Sequence, residues 1–243
     1  MVMAQPGATV VNRLFTFGCS FTSYAWSTWA DILGKEATEY QNWGLPGAGN
    51  QYIFNSIVEC DQRSQFKSDD TVVVCWTNVF REDRYINAWM GLGNIYTQSL
   101  YDSTWVKQNI TERGCLIRDL PFIKVVKNFL DQRQVNWRFI SMVPIDQTDQ
   151  YNETRHNHNQ DVLDLYQDVV ETIKPSFWEI LKGRPTVLFD LHPLPADHLY
   201  YVDQILPEFK VSDQTRQFIL DEDQTIRSAG KIPPYNAPKI DRL

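Results

Sequence analysis

Residues 14–22 read Leu14-Phe15-Thr16-Phe17-Gly18-Cys19-Ser20-Phe21-Thr22, and the fold class turns on this stretch. It opens as an apolar run of strand formers and breaks at Gly18. A serine stands two residues past the glycine, and an aromatic, helix-compatible segment follows. A strand that stops at a glycine turn and feeds a helix leaves its last residues at the carboxyl edge of a sheet. Open α/β sheets bind their ligands at that edge. There Ser20 would present its hydroxyl beside the backbone N–H groups of the next helix start, and both suit attack on a carbonyl. A plain strand-to-helix turn in which Ser20 caps the helix fits the same residues, so the decision falls to the rest of the chain.

Working outward, strand one covers about Arg13–Phe17 and follows a flexible lead-in at 1–12. Trp26, Trp29, Ala30 and Leu33 recur at helical spacing and predict a helix ending near Gly34. A second strand is expected at Thr38–Trp43. The glycine-rich loop Gly44-Leu45-Pro46-Gly47-Ala48-Gly49-Asn50 then opens a helix carrying Ile53, Phe54, Ile57 and Val58. Thr71–Trp76 is a continuous apolar run, as a central strand buried on both faces requires. The order β-α-β-α-β predicts a parallel sheet with right-handed crossovers.

Between Phe80 and Cys115 the periodicity is lost among many aromatic and charged residues. A segment this long inside a compact domain is read as a cover over the sheet's carboxyl edge. Its aromatic set fits either the core of a lid or a stacking surface for sugar rings. A helix at Leu120–Arg133, a strand at Trp137–Val143, a polar stretch at Pro144–Asn159 and a helix at Asp161–Ile173 follow. A last strand, Thr186–Phe189, leads into Asp190-Leu191-His192-Pro193 and a helix from Pro195 to Leu206. Residues 207–243, rich in Asp, Gln and Pro, are expected to wrap the surface or to bind a partner.

The totals bound the function. The chain has 243 residues, 43% of them hydrophobic, enough for a sizeable core. A net charge of −7 argues against a nucleic-acid partner bound through a basic face. No apolar run is long enough for a membrane span, and Met1–Asn12 has no basic region leading into an apolar core, so no secretory signal and synthesis in the cytoplasm are expected. The cysteines at 19, 60, 75 and 115 contain no CxxC pair and are read as reduced structural thiols. His156 and His158 lack a third ligand at a recognisable spacing and are read as a solvated loop, so no metal is expected.

Four features fall at one end of the predicted sheet: Ser20 after strand one, Gly47 after strand two, Asn78 after strand three, and Asp190 with His192 after the last strand. A serine becomes a nucleophile when a histidine held by a carboxylate takes its proton. A glycine N–H, an asparagine amide and the serine's own N–H would supply three donors to the developing oxyanion. Asn50, Arg81 and Trp76 stand beside these positions and are the candidate substrate contacts. The Arg81–Arg84 charge run fits a solvated face equally well.

These residues resemble the conserved blocks of the SGNH (GDSL-like) hydrolases. Gly18-Cys19-Ser20-Phe21 is similar to the first block, Asn42 through Gly47 to the second, Trp76-Thr77-Asn78 to the third, and Asp190-Leu191-His192-Pro193 to the fifth. Together they frame residues 13–206. The resemblance implies a flavodoxin-like three-layer α/β/α sandwich and a cofactor-independent esterase with Ser20 as nucleophile, His192 as base and Asp190 as its orienter. It also implies oxyanion donors at Ser20, Gly47 and Asn78, and a substrate such as an O-acetyl ester on a carbohydrate. The departures are Cys19 for the usual aspartate, Trp76 for a glycine, Val79 where an aspartate is common, and one residue rather than two between Asp190 and His192. Residues i and i+2 of an extended segment share a side, so Asp190 can still face His192 through a different loop. His198, preceded by Asp197, is the rival base; His192 is preferred because it precedes proline at the strand's exit. The Thr16–Thr22 pattern with the later Trp76-Thr77 also resembles SGNH-type proteins encoded by bacteriophages, a resemblance that allows a virion- or tail-associated esterase. A non-catalytic binding module and an acyltransferase using the same triad are the alternatives.

Overall fold

The computed structural model describes residues 11–96, 101–145, 159–184, 190–237 and 240. Strands β1 (Val11–Phe17), β2 (Ala37–Asn42), β3 (Thr71–Trp76) and β6 (Asn136–Ser141) form a parallel sheet in the order β2-β1-β3-β6. β1 includes Val11 and Asn12, two residues that the sequence reading placed before the strand. The predicted strand at Thr186–Phe189 and the histidines at 156 and 158 lie outside the described residues.

The chain leaves β1 for β2 on one side and returns past β1 to β3 on the other. With right-handed crossovers, this reversal puts α1 (Trp29–Gly34) and α2 (Asn50–Ser64) on opposite faces. α4 (Glu112–Arg133), on the β3-to-β6 crossover, packs beside α2, while α8 (Pro195–Ile205) packs on α1. The result is a three-layer α/β/α sandwich, and the reversal places a crevice at the carboxyl ends of β1 and β3. All six residues of β3 are buried, as expected of a strand covered on both faces. Arg13 clamps the start of β1 to the turn before β3 through two bonds to Asp70, at 2.8 and 2.6 Å.

Several elements differ from the sequence expectations. The first helix starts at Trp29, where Thr28 and Asp31 form a capping box; Trp26 lies outside it, and Ser20–Thr28 form a turn and loop. The described residues of 80–115 are more ordered than their composition suggests. They contain an antiparallel hairpin, β4 (Arg81–Tyr85) and β5 (Trp89–Asn94), the helix α3 (Ser103–Asn109) and the first turn of α4. Within residues 207–243, a helix α9 (Asp213–Ala229) is capped by Ser212 and packs on α8, burying Thr215, Ile219, Asp223 and Ile226 along one stripe. The helix expected at Asp161–Ile173 is divided into α5 (Gln160–Leu165), α6 (Gln167–Val170) and a 3-10 turn at Glu171–Ile173. The remaining helix, α7 (Phe177–Leu181), packs on α8. Among the described residues no helix is long and apolar enough to cross a membrane.

Candidate active site

The turn after β1 is built on Cys19, whose carbonyl accepts N–H bonds from Thr22 (2.9 Å) and Ser23 (3.1 Å). Ser20 sits at its crest and is only 5% exposed. Gly18 is required by space, because a Cβ there would stand 2.1 Å from Thr22 Oγ1. The predicted helix N-terminus beside Ser20 is absent, since α1 begins nine residues later. The N–H groups near the hydroxyl therefore belong to the turn itself. Ser20 Oγ makes no hydrogen bond among the described residues; unliganded sites commonly leave the nucleophile–base contact open.

The second segment is tied to the first by backbone. Trp43 N–H bonds Thr16 O at 2.8 Å and Leu45 N–H bonds Gly18 O at 3.0 Å, carrying the β1–β2 ladder beyond the strands. Gly47 follows with φ +80°, and its carbonyl accepts Gly93 N–H from the hairpin at 2.9 Å. A Cβ at Gly47 would stand 2.5 Å from Gly91 O, so hairpin and loop touch backbone to backbone. Asp83 of β4 extends the clamp. Its buried carboxylate accepts Gly49 N–H (2.7 Å) and Tyr52 N–H (2.9 Å), capping α2 where Gly49 has no side chain to do so. Burial pushes the Asp83 carboxyl up, and these bonds partly oppose the shift.

The third segment places Asn78 half-buried at the exit of β3, with Oδ1 accepting Phe80 N–H at 2.7 Å. That bond fixes the amide plane and leaves Nδ2 without an acceptor among the described residues. Two substrate-contact expectations fail here. Asn50 is fully buried: its Nδ2 donates to Thr77 O (3.1 Å) and Asp119 Oδ2 (2.8 Å), and its Oδ1 accepts Thr77 N–H (2.9 Å). Its amide holds the third segment in place instead of facing a ligand. Trp76 is also fully buried, edge-on to Phe139 at 5.5 Å, because every residue of β3 is interior. Arg81 does reach the crevice. Its guanidinium donates to Ala48 O (3.1 Å) and lies 3.4 Å from Met142 Sδ. The same sulfur takes contacts from Cys19 Sγ and Thr77 Oγ1, each at 3.6 Å, so a soft acceptor joins the exits of β1, β3 and β6.

The fourth segment holds the Asp190–His192 pair. His192 Nδ1 lies 3.0 Å from Asp190 Oδ1, and the same oxygen accepts His192 N–H at 3.3 Å. This is an Asx turn, with Leu191 in the left-handed region at φ +69° and 74% exposed. An extended i, i+2 pair would be about 6.6 Å apart along the chain; the left-handed residue brings the two side chains into bonding range. The one-residue spacing thus closes through a left-handed turn and not through the extended geometry expected from the sequence. Burial pulls the His192 pKa below its ordinary value; Asp190 opposes the shift and the Arg81 charge adds to it.

His198 is 1% exposed, packed edge-on against Phe177 at 4.9 Å and Phe21 at 6.3 Å, with Nδ1 unpartnered. Burial pushes its pKa down to about 3. It lies inside the wall of the site.

Two residues that the sequence did not assign to the site join the first and fourth segments. Tyr24 stacks on the His192 ring at 4.0 Å and 14°, and its hydroxyl donates to Asp190 Oδ2. Trp26 Nε1 donates to Pro193 O at 2.9 Å, and its ring meets Tyr24 edge-on at 4.7 Å. Phe21, next to Ser20, lies 5.8 Å from the His192 ring. No local pattern marks them, because their partners lie more than 160 residues away. The cysteines are all free and buried, and the described residues contain no cluster of metal-ligating side chains.

No protein-family model matches the chain, and no curated protein matches it. Solved structures with a similar course of the chain include TesA, at 12% identity and a TM-score of 0.48 over 82% of this chain and 98% of that one. A member of the lipolytic protein G-D-S-L family from Veillonella parvula DSM 2008 matches at 12% identity and a TM-score of 0.47, over 80% of this chain and 96% of that one. The psychrotrophic esterase EstA from Pseudoalteromonas sp., in a structure inhibited by monoethylphosphonate, matches at 9% identity and a TM-score of 0.45, over 81% and 97%.

Proposed function

We propose that the protein is a serine ester hydrolase of the SGNH type. The observation that carries this reading is the closed Asp190–His192 pair, whose loop is bound through Tyr24 and Trp26 to the loop that bears Ser20. In the proposed reaction Ser20 Oγ attacks the ester carbonyl carbon while His192 Nε2 takes the hydroxyl proton. Asp190 holds the proton on Nδ1, which fixes the tautomer and stabilises the imidazolium. The carbonyl oxygen gains the charge and is met by Ser20 N–H, Gly47 N–H and Asn78 Nδ2. The alcohol leaves with the proton from Nε2, and a water deprotonated by the same nitrogen releases the acyl group from Ser20. A His192 held neutral by burial is available as a base below the usual histidine range.

For the substrate we propose an O-acetyl group on a carbohydrate. Exposed Tyr85, Tyr96 and Trp105 on the cover offer faces for sugar rings, while Trp89 is half-buried against Tyr52 at 5.7 Å. Arg81 is the substrate contact carried forward from the sequence, where Asn50 and Trp76 are not.

A serine-directed organophosphonate tests the nucleophile. It is expected to add to Ser20 and to no other serine, with loss of p-nitrophenyl acetate turnover. An adduct elsewhere, or none on the folded protein, overturns the reading.

A further inference from the structure

The contacts of Tyr24 differ from those of an ordinary wall residue, because it touches both members of the pair. Its ring lies parallel to the His192 imidazole at 4.0 Å, and its hydroxyl donates to the Asp190 oxygen that His192 does not use. With Oδ1 facing His192 and Oδ2 facing Tyr24, the carboxylate is bonded on both oxygens and cannot rotate without breaking one bond. The stacked ring covers one face of the imidazole from solvent. The tyrosine is itself supported by Trp26, which donates to Pro193 O at 2.9 Å and so ties its loop to the loop of the base.

We infer that Tyr24 is a positioning residue of the acid–base pair, locking the Asp190 carboxylate and shielding His192, and thereby setting the pH at which His192 acts. The inference rests on the hydrolase reading only for the kinetic half of its test. The one-residue spacing explains the need. The Asx turn already commits Oδ1 to both the His192 backbone N–H and the ring, so the second oxygen needs a donor from another segment. The hydroxyl withdraws charge from Asp190 and thereby weakens its pull on the imidazolium proton. Burial of Tyr24 and its bond to the carboxylate both push the phenol pKa up, so the hydroxyl stays protonated and a donor throughout the working range. The titratable groups facing His192 are Asp190 on its own loop, Tyr24 on the loop after β1, Arg81 on β4 and His198 on α8.

The test compares wild type with Tyr24→Phe, which keeps the ring and deletes the hydroxyl, and with Tyr24→Leu, which deletes both. The first measurement is an NMR titration of the His192 ring, which needs no substrate. The second is the pH profile of kcat/KM on p-nitrophenyl acetate. In Tyr24→Phe the full Asp190 charge favours the imidazolium, so both the titration midpoint and the acid limb are expected to move up by about half a pH unit or more. kcat is expected to fall about tenfold with KM little changed. In Tyr24→Leu the loss of shielding moves the midpoint further up. A His192 midpoint unchanged in both folded variants overturns the proposal, whatever happens to turnover. A shifted midpoint in a protein whose wild type hydrolyses no ester upholds the coupling and overturns the hydrolase reading, so the two failures are distinguishable.

Discussion

Replacing Gly47 with alanine would separate two costs that the fold places on one residue. Gly47 has φ +80°, and a Cβ built on it lies 2.5 Å from Gly91 O and 3.1 Å from Gly91 C. Holding an L-residue in the left-handed region costs about 1–2 kcal/mol. The steric cost falls on hairpin backbone, which is held in place by Gly93 N–H on Gly47 O at 2.9 Å. Overpacking against such a constrained neighbour costs about 1–3 kcal/mol. The sum for Gly47→Ala is about 2–5 kcal/mol. Gly183 supplies the reference, with φ +87° and nothing within 4 Å of its built Cβ. Gly183→Ala should therefore carry the first cost alone, and urea unfolding should place the two variants about 1–3 kcal/mol apart. Turnover of p-nitrophenyl acetate should fall about 10²–10³-fold in Gly47→Ala, because relieving the clash moves the N–H aimed at the oxyanion. Gly183→Ala should keep its rate. Equal stability losses together with full turnover in Gly47→Ala would refute the reasoning: the hairpin would then yield freely, and Gly47 would not serve the reaction.

Two further outcomes are expected. Asn78→Ala removes an amide whose Oδ1 serves only Phe80 N–H among the described residues. It should lower turnover about 10²–10³-fold with little change in KM, and near wild-type turnover in steady-state kinetics would reduce Asn78 to a turn residue. His198→Leu tests the buried histidine. Burial holds its folded pKa at about 3, below an unfolded value of about 6.5. Its contribution to stability is thus complete above that unfolded value and is lost as pH falls toward the folded one. Between pH 6 and 4.5 wild type should lose about 1.4 kcal/mol per pH unit more than the variant in urea unfolding, and equal slopes would mean that His198 is not held neutral.

The sheet was legible because β1 and β3 are apolar runs that stop abruptly, and burial on both faces leaves no other pattern for such residues. Ser20, Gly47 and Asn78 were legible as strand-exit residues, since each follows one of β1, β2 and β3. What the sequence concealed was backbone shape and reach. Nothing in a leucine marks a left-handed position, which glycine or asparagine usually fills, so the Asx turn at Asp190 could not be read. Trp26 kept helical phase with Trp29 although the Thr28 cap starts the helix after it. Asn50 and Trp76 were chosen for their nearness to motif residues, but nearness along the chain says nothing of exposure. α9 was hidden because its buried stripe includes Thr215 and Asp223, which count as polar in any periodicity.

The bonds that fix the loop around Ser20 have a consequence for the order of assembly. The loop precedes its partners by more than 160 residues. Tyr24 bonds Asp190, Trp26 bonds Pro193 at 2.9 Å, Ser27 N–H bonds Glu222 at 3.2 Å, and Ser23 Oγ lies 2.9 Å from Tyr235 Oη. Contacts this distant in sequence form late, because the intervening chain must be ordered first. A chain that has ordered β1, β2, β3 and β6 carries Ser20 without the residues that hold its loop in shape. On the proposed reading, reactivity at Ser20 therefore reports that α8 and α9 have docked.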